Sequence, residues 1–322
     1  MTRLALATLG TTALLLAACG TSSPDDDAAD TAQGVSVVAT TTMLGDVVAQ
    51  VTACAGGSTT TLMPVGADPH DFSPSSEQVA SIVAADLVVA NGLGLEEGLA
   101  DAIESAEVDG ATVLEVAELV DPIEFGGHGH ADEEEHSGEE EHGDLDPHFW
   151  HDAMRMATAA QLVGDALAAA TGDDTFSECG QQVADDLRGT DAEVREILSR
   201  LDDDQRVLVT DHDALGYFAE AYGFEVAGVV IPGGATLAEP SSQELADLVQ
   251  VITQEEVPAI FSNTAAPSDL TDAVAAEAGA TVEVVELYVG SLGPQGSGAQ
   301  TYAGMMLANA QRIADALSGP SA

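Results

Sequence analysis

Residues 175–201 read TFSECGQQVADDLRGTDAEVREILSRL. Apolar side chains fall at Phe176, Val183, Leu187, Val194, Leu198 and Leu201. Steps of three, four and seven residues place them along one stripe of an α-helix. One helix over the whole stretch would be about 40 Å long, enough to tie two lobes of a molecule together.

On both sides of that helix the pattern changes. Upstream, the β-branched run VSVVAT at 35–40 predicts a buried strand, followed by a helix over 42–52. A strand over 59–63 stops at Pro64. A helix over 75–84 follows, with Ser75 and Gln78 spaced as a capping box. Then come a strand at 87–90, a helix at 95–107, a strand at 112–115 and a helix at 152–170. Downstream, strands at 207–210, 225–231, 259–261 and 281–286 alternate with helices at 214–222, 242–254, 268–278 and 300–317. Ser241 and Glu244 form a second capping box. Alternation of this kind implies parallel sheets built through right-handed crossovers. The expected fold class is therefore α/β. It has an N-terminal lobe at 34–174, a linking helix at 175–201 and a C-terminal lobe at 202–322, each lobe with a parallel four-stranded sheet. With 322 residues and 45% hydrophobic content, the chain is long enough for more than one core. The halves are alike in pattern, with no repeat of sequence.

The charge balance is extreme: 56 Asp+Glu against 7 Lys+Arg, without a single lysine, giving a formal charge of −49. Nucleic acid is excluded as a partner, because phosphate binding needs a basic footprint. Cations are attracted instead. Genomic bias or a salty habitat would give the same charge, so it does not by itself specify a ligand.

Residues 1–19 read as a targeting segment. Arg3 is followed by an apolar stretch at 4–18, shorter than the roughly 20 residues a membrane span needs. It ends Leu16-Ala17-Ala18-Cys19, which resembles a bacterial lipobox. That resemblance implies cleavage before Cys19 and acylation of its sulfur, anchoring the protein to the outer face of the cell membrane. Residues 20–33, with Ser, Pro, Gly and four Asp, read as a flexible tether. With Cys19 acylated, Cys54 and Cys179 remain. Outside the cytosol such a pair oxidises, so a disulfide is expected; two separate buried thiols are the alternative.

The histidines carry the chemistry. His128, His130, His136 and His142 sit in an acidic, His-rich loop at 125–145, where little can be buried and a mobile surface segment is expected. His70, His148, His151 and His212 sit beside the ends of predicted elements. Asp68-Pro69-His70 and Asp146-Pro147-His148 share a local frame. Proline stiffens the backbone ahead of each imidazole. His70 follows the second strand and His212 follows the strand at 207–210. In open α/β sheets ligands bind outside the carboxyl ends of strands, so these rings can meet across a cleft. Neutral imidazoles suit Zn(II). His151, three residues after His148, is expected in a supporting or surface role rather than as a ligand.

Gly66-Ala67-Asp68-Pro69-His70-Asp71-Phe72, Asp146-Pro147-His148-Phe149-Trp150 and Thr210-Asp211-His212-Asp213-Ala214-Leu215-Gly216-Tyr217-Phe218 resemble the cluster A-I (ZnuA/TroA-like) substrate-binding proteins of ABC transporters for zinc and manganese. The likeness extends to residues 85–92 and 301–306. It implies two α/β lobes joined by a rigid long helix, with the metal buried between them. His70 and His148 would be ligands from the first lobe and His212 the ligand from the second. Manganese proteins of this kind carry a carboxylate at the third position, so His212 points to Zn(II). One departure stands out. The family places an aspartate ligand in a segment like Leu-Tyr-Ser-Asp-Ser-Leu-Gly. Here Leu287-Tyr288-Val289-Gly290-Ser291-Leu292-Gly293 puts Gly290 in its place. Water, Ser291, a loop carboxylate or a loop histidine are the candidates for the fourth ligand. The His-rich loop resembles the metal-rich loop of zinc members, implying low-affinity capture before transfer; the alternative is a solvated acidic insertion.

The expected function is an extracytoplasmic protein that captures Zn(II) as cargo and delivers it to the permease of an ABC importer. A monomer without enzymatic activity is expected. Two other functions fit the same residues. A zinc hydrolase or hydratase would use three His and an open position, although neither HExxH nor GxSxG occurs in the sequence. A surface metal scavenger or adhesin would use the same fold without a transporter.

Overall fold

Strand β1 (Ser36–Ala39) shows how the first half is layered. Val37 and Ala39 point into the central core, while Val38 enters a separate cluster with Ile82, Leu99 and Ile103. A strand buried on both faces has no polar side, which is why it reads as an unbroken apolar run. With β2 (Ser58–Thr61), β3 (Leu87–Ala90) and β4 (Val113–Glu115) it forms a parallel sheet of order β2-β1-β3-β4. The second sheet, from β5 (Val207–His212), β6 (Glu225–Ile231), β7 (Ala259–Asn263) and β8 (Glu283–Leu287), is parallel with order β6-β5-β7-β8. The two halves therefore repeat one topology without repeating a sequence. In the second sheet Leu208 and Phe261 face the centre, and Val209 and Ile260 face outward.

This computed structural model describes residues 34–126, 145–233, 236, 238–279 and 281–318. The expected signal segment with Cys19, the tether at 20–33, and His128, His130, His136 and His142 of the His-rich loop lie outside the described residues. Among the described residues no helix is long and apolar enough to cross a membrane.

Helices α2 (Ser76–Val83) and α3 (Ala100–Val108) cover the outer face of the first sheet. The capping box at Ser75 and Gln78 starts α2 as its spacing predicts. The expected helix at 95–107 instead begins with a 3-10 turn at Glu97–Leu99. The cause is Glu96, whose buried carboxylate accepts the N–H groups of Asn91 and Gly92 and the Thr40 hydroxyl. That carboxylate holds the chain in a turn before α3 can form. In the other half α7 (Ser242–Gln254) and α8 (Asp269–Ala278) cover the outer face, α7 starting from the Ser241/Glu244 capping box.

Between the sheets lie α1 (Thr42–Cys54), α4 (Ala153–Thr171), α5 (Thr175–Leu198) and α9 (Tyr302–Leu317), with the short α6 (Gly216–Tyr222) beside them. Val48, Leu167, Leu187 and Ile313 join the inner faces of both sheets in one continuous core. The lobes thus share a middle layer, and Gly34–Ala322 forms a single compact unit. Helix α5, 24 residues and about 36 Å long, lies against α4 and not in the open between lobes. The turn joining them starts at Gly172, in the left-handed conformation at φ 73. The two helices cross at glycines: a Cβ on Gly164 would stand 2.6 Å from the Phe176 carbonyl oxygen, and one on Gly180 2.8 Å from that of Ala160. Cys54, at the end of α1, is disulfide-bonded to Cys179 of α5, with Cα atoms 5.9 Å apart. That bond ties two helices of the middle layer together, α1 that follows the first strand and α5 that leads to the second sheet.

Candidate metal centre

Three imidazoles meet at the carboxyl ends of the strands. His70 sits in the turn after β2, His148 just ahead of a 3-10 turn at Phe149–His151, and His212 is the last residue of β5. The predicted strand at 207–210 stops short because Asp211 and His212 are polar. They continue it because the Asp211 carboxylate satisfies the backbone locally. Its Oδ1 accepts the N–H of His212 at 2.8 Å, and its Oδ2 accepts the N–H of Asn263 on β7 at 2.6 Å.

Each histidine has a carboxylate one or two residues ahead of it. Asp68 Oδ1 accepts the backbone N–H of His70 at 3.1 Å. Asp146 Oδ1 accepts the backbone N–H of His148 at 2.8 Å and lies 2.7 Å from its Nδ1. Asp211 Oδ1 lies 2.8 Å from Nδ1 of His212. Two of the rings are thereby oriented through Nδ1, with Nε2 directed elsewhere. That is the carboxylate–histidine pairing that orients metal-ligating imidazoles. In the Asp-Pro-His frames the proline is only half of the signal; the aspartate at the head of each accepts the backbone N–H of its histidine.

The three rings face one another. Centroids are 5.2 Å apart for His70 and His148, 5.4 Å for His148 and His212, and 5.8 Å for His70 and His212. Nε2 of His70 and Nε2 of His148 are 3.1 Å apart, and one nitrogen from each ring lies within 4.8 Å of the others. Tetrahedral Zn(II) with Zn–N bonds of about 2.0–2.1 Å needs nitrogens about 3.4 Å apart. One pair is already near that separation, and the third ring needs a modest contraction. His148 and His212 are almost fully buried and His70 partly so.

Burial sets the protonation of this cluster. It holds His70 down to about 3, helped by the neighbouring His148 and His212. It holds His148 well below the usual imidazole range, again with His212 contributing. Burial also acts to lower His212, but the hydrogen bond and charge of Asp211, with Asp68 and Asp213, raise it overall. The Asp146 carboxyl is pushed up to about 7 by burial. Without a cation, both His148 and Asp146 are thus pressed toward neutrality. A dication on Nε2 would reverse the pressure on Asp146 and favour the ionised carboxylate, which can only accept, so that the proton would rest on Nδ1.

The surroundings bridge the two halves. The Thr236 hydroxyl donates to Asp68 Oδ2. Trp150, its ring 5.1 Å from that of His148, donates Nε1–H to the Val289 carbonyl at 2.9 Å. The Tyr217 hydroxyl donates to the Asp146 carbonyl at 2.7 Å. His151 is buried, not at the surface as one expectation allowed. It packs against Trp150, and its Nε2 has no partner among the described residues. Ser291, one candidate for the fourth ligand, accepts the N–H of Gly66 at 2.8 Å and donates to the Leu292 carbonyl at 3.1 Å. Gly290 lies against Pro69 and Asn263: a Cβ there would be 3.0 Å from Pro69 Cδ and 3.3 Å from Asn263 Nδ2. Glu124 and Leu145, which flank the His-rich stretch in sequence, pair through an antiparallel bridge. The ring of Phe125 lies 6.3 Å from that of His148.

Comparison with known proteins adds to this geometry. Residues 37–316 match the family described as ZnuA, zinc-uptake complex component A periplasmic. The zinc-binding protein TroA of Treponema pallidum is 32% identical over 264 residues, covering 80% of each chain. The manganese-binding lipoprotein MntA of Halalkalibacterium halodurans is 28% identical over 309 residues, covering 95% of each. The solved structure of periplasmic zinc-binding TroA from Treponema pallidum superposes with a TM-score of 0.75 at 30% identity, over 88% of this chain and 99% of that one. These relatives are named for binding metal, zinc in one case and manganese in the other, and not for catalysis. With the match spanning both lobes, the chain belongs to the family of zinc-uptake complex component A periplasmic proteins.

Proposed function

We propose that this protein captures Zn(II) outside the cytoplasm, holds it between its lobes on His70, His148 and His212, and delivers it to the permease of an ABC importer. The observation that carries this reading is the convergence of three imidazoles, two of them oriented through Nδ1 by buried carboxylates. The ion is cargo; its coordination is the whole of the chemistry. An all-nitrogen protein set favours Zn(II) over Mn(II), which suits oxygen ligands. A lipid on Cys19 would keep a monomeric carrier close to the permease, with residues 20–33 as tether. His128, His130, His136 and His142 would gather ions at low affinity before transfer.

The test is metal analysis of the purified protein together with a competition titration of Zn(II) against Mn(II). Tight zinc binding is expected, and it should be abolished by His70→Ala or His212→Ala. Unchanged affinity in those variants would refute the assignment; preference for Mn(II) would overturn the choice of metal.

A further inference from the structure

The segment Asp146-Pro147-His148 carries one of the three imidazoles, and its backbone offers little to hold it by. Pro147 has no N–H, and the N–H of His148 goes to the Asp146 carboxylate within the segment. The Asp146 N–H donates to the Ile123 carbonyl at 2.8 Å. That leaves the two carbonyls ahead of the histidine, and side chains from opposite halves of the chain meet them. The Tyr217 hydroxyl donates to the Asp146 carbonyl at 2.7 Å, and Asn91 Nδ2 donates to the Pro147 carbonyl at 2.9 Å.

Both donors are buried and themselves held. Asn91 directly follows β3. Its N–H goes to the Glu96 carboxylate at 2.8 Å, and its carbonyl accepts the N–H of Ala117 at 2.8 Å. Its Nδ2 also reaches the Gly92 carbonyl at 3.3 Å, and two carbonyl acceptors fix which end of the amide is nitrogen. Tyr217 is the second residue of α6, the helix that follows His212. Its oxygen accepts the Ile123 N–H at 3.2 Å, and the Arg155 guanidinium lies over its ring, 4.8 Å from the centroid. The start of that helix comes so close that a Cβ on Gly216 would stand 2.9 Å from Asp146 Oδ2.

We propose that Tyr217 and Asn91 are positioning residues for metal binding, clamping the two carbonyls ahead of His148 so that its ring is held opposite His212 before an ion arrives. The inference rests on the three-histidine reading above. Neither side chain is a ligand; each acts through the carbonyl it holds. The contact of Asp146 with Nδ1 of His148 lies inside the segment and survives the loss of either donor. What is lost is the placement of the whole segment against His212, and an unplaced ligand must be ordered by the ion at a cost in affinity.

The experiment titrates Zn(II) into the full protein against a competing chelator, and follows the ring N–H signals of labelled histidines by NMR in the zinc-loaded state. Tyr217→Phe and Asn91→Ala should each weaken zinc binding about fivefold to tenfold, the effect of one hydrogen bond. The His148 Nδ1–H should exchange faster with solvent in both variants, while that of His212, held by Asp211, stays as in the native protein. Tyr222→Phe deletes a hydroxyl at the far end of the same helix and should change neither readout. Tyr217→Phe keeps the ring under Arg155, so it decides the question should Asn91→Ala fail to fold. Native affinity with unaltered His148 exchange would overturn the proposal. So would an equal loss in Tyr222→Phe, the mark of a generally loosened fold. Zinc binding indifferent to His148→Ala would refute the three-histidine reading instead.

Discussion

Asp211→Asn isolates what the carboxylate behind His212 contributes. In the native chain Oδ1 takes both the backbone N–H and Nδ1 of His212, and Oδ2 takes the N–H of Asn263. An asparagine keeps one acceptor and turns an NH₂ toward an N–H donor on the other side. Loss of an outer carboxylate of this kind costs about 10- to 100-fold in metal affinity, or about 1.4–2.7 kcal/mol. The pH dependence separates this effect from simple damage. Asp211 is also the chief reason that His212 lies above the usual imidazole value despite its burial. Below that raised value, zinc must displace a proton from His212, and native affinity falls about tenfold per pH unit. In the variant, burial dominates and the same fall begins at lower pH. The affinity deficit should therefore be largest at mildly alkaline pH and shrink on acidification. A competition titration against a chromophoric chelator, repeated from mildly acid to mildly alkaline pH, measures it, and the unfolding midpoint of the metal-free variant serves as a control. A deficit that is absent at alkaline pH, or that grows on acidification, would refute the reasoning.

Two other outcomes follow from groups outside that pair. In the metal-free protein burial keeps the Asp146 carboxyl protonated up to about 7, against an ordinary aspartate value of 3.8. Between those values the folded state binds the extra proton, so its contribution to stability falls as pH rises, by about 1.4 kcal/mol per unit. Asp146→Asn should remove that slope; identical urea midpoints against pH in both proteins would contradict it. The Cys54–Cys179 bond closes a loop of 125 residues, for which the chain-entropy account gives about 5 kcal/mol. Cys54→Ser should lower the metal-free melting temperature by about 8 °C for a chain of this size, and calorimetry showing no change would show that the crosslink constrains little.

Much of the fold was legible because its strands are buried on both faces. Runs such as 35–40 and 87–90 then stand out as unbroken apolar segments between helical patterns. What each face is buried against was not legible. Val37 and Val38 are equally apolar, yet one belongs to the middle layer and the other to the outer cluster. For the same reason the sequence suggested separate cores linked by a rod, whereas α4, α5 and α9 lie inside one core common to both sheets. The periodicity of 175–201 reports that one stripe is buried but is silent about how many partners share it. Glu96 was equally hidden, because a carboxylate that organises a turn from inside the protein looks like any other acid in a chain with 56 of them.

The site divides along the same line. His70, His148 and His212 could be read locally, from strand ends and proline frames, because each is positioned by residues within two places of it. Asn263 could not, since its relation to His212 is created by sheet pairing. β5 pairs with β7 at Thr210 and Phe261, and the Asn263 N–H then reaches Asp211 Oδ2 beside His212. Gly290 could be seen as a missing carboxylate, but what faces it depends on a loop from the other lobe bringing Pro69 against it. The three converging imidazoles are thus written in short segments, and what surrounds them is written in the packing of the halves. Substitutions at the lobe contacts, such as Thr236 on Asp68 or Trp150 on Val289, should consequently alter metal binding without touching a ligand. Their effect would run through the distance between His70 and His212, the pair of rings whose centroids stand furthest apart.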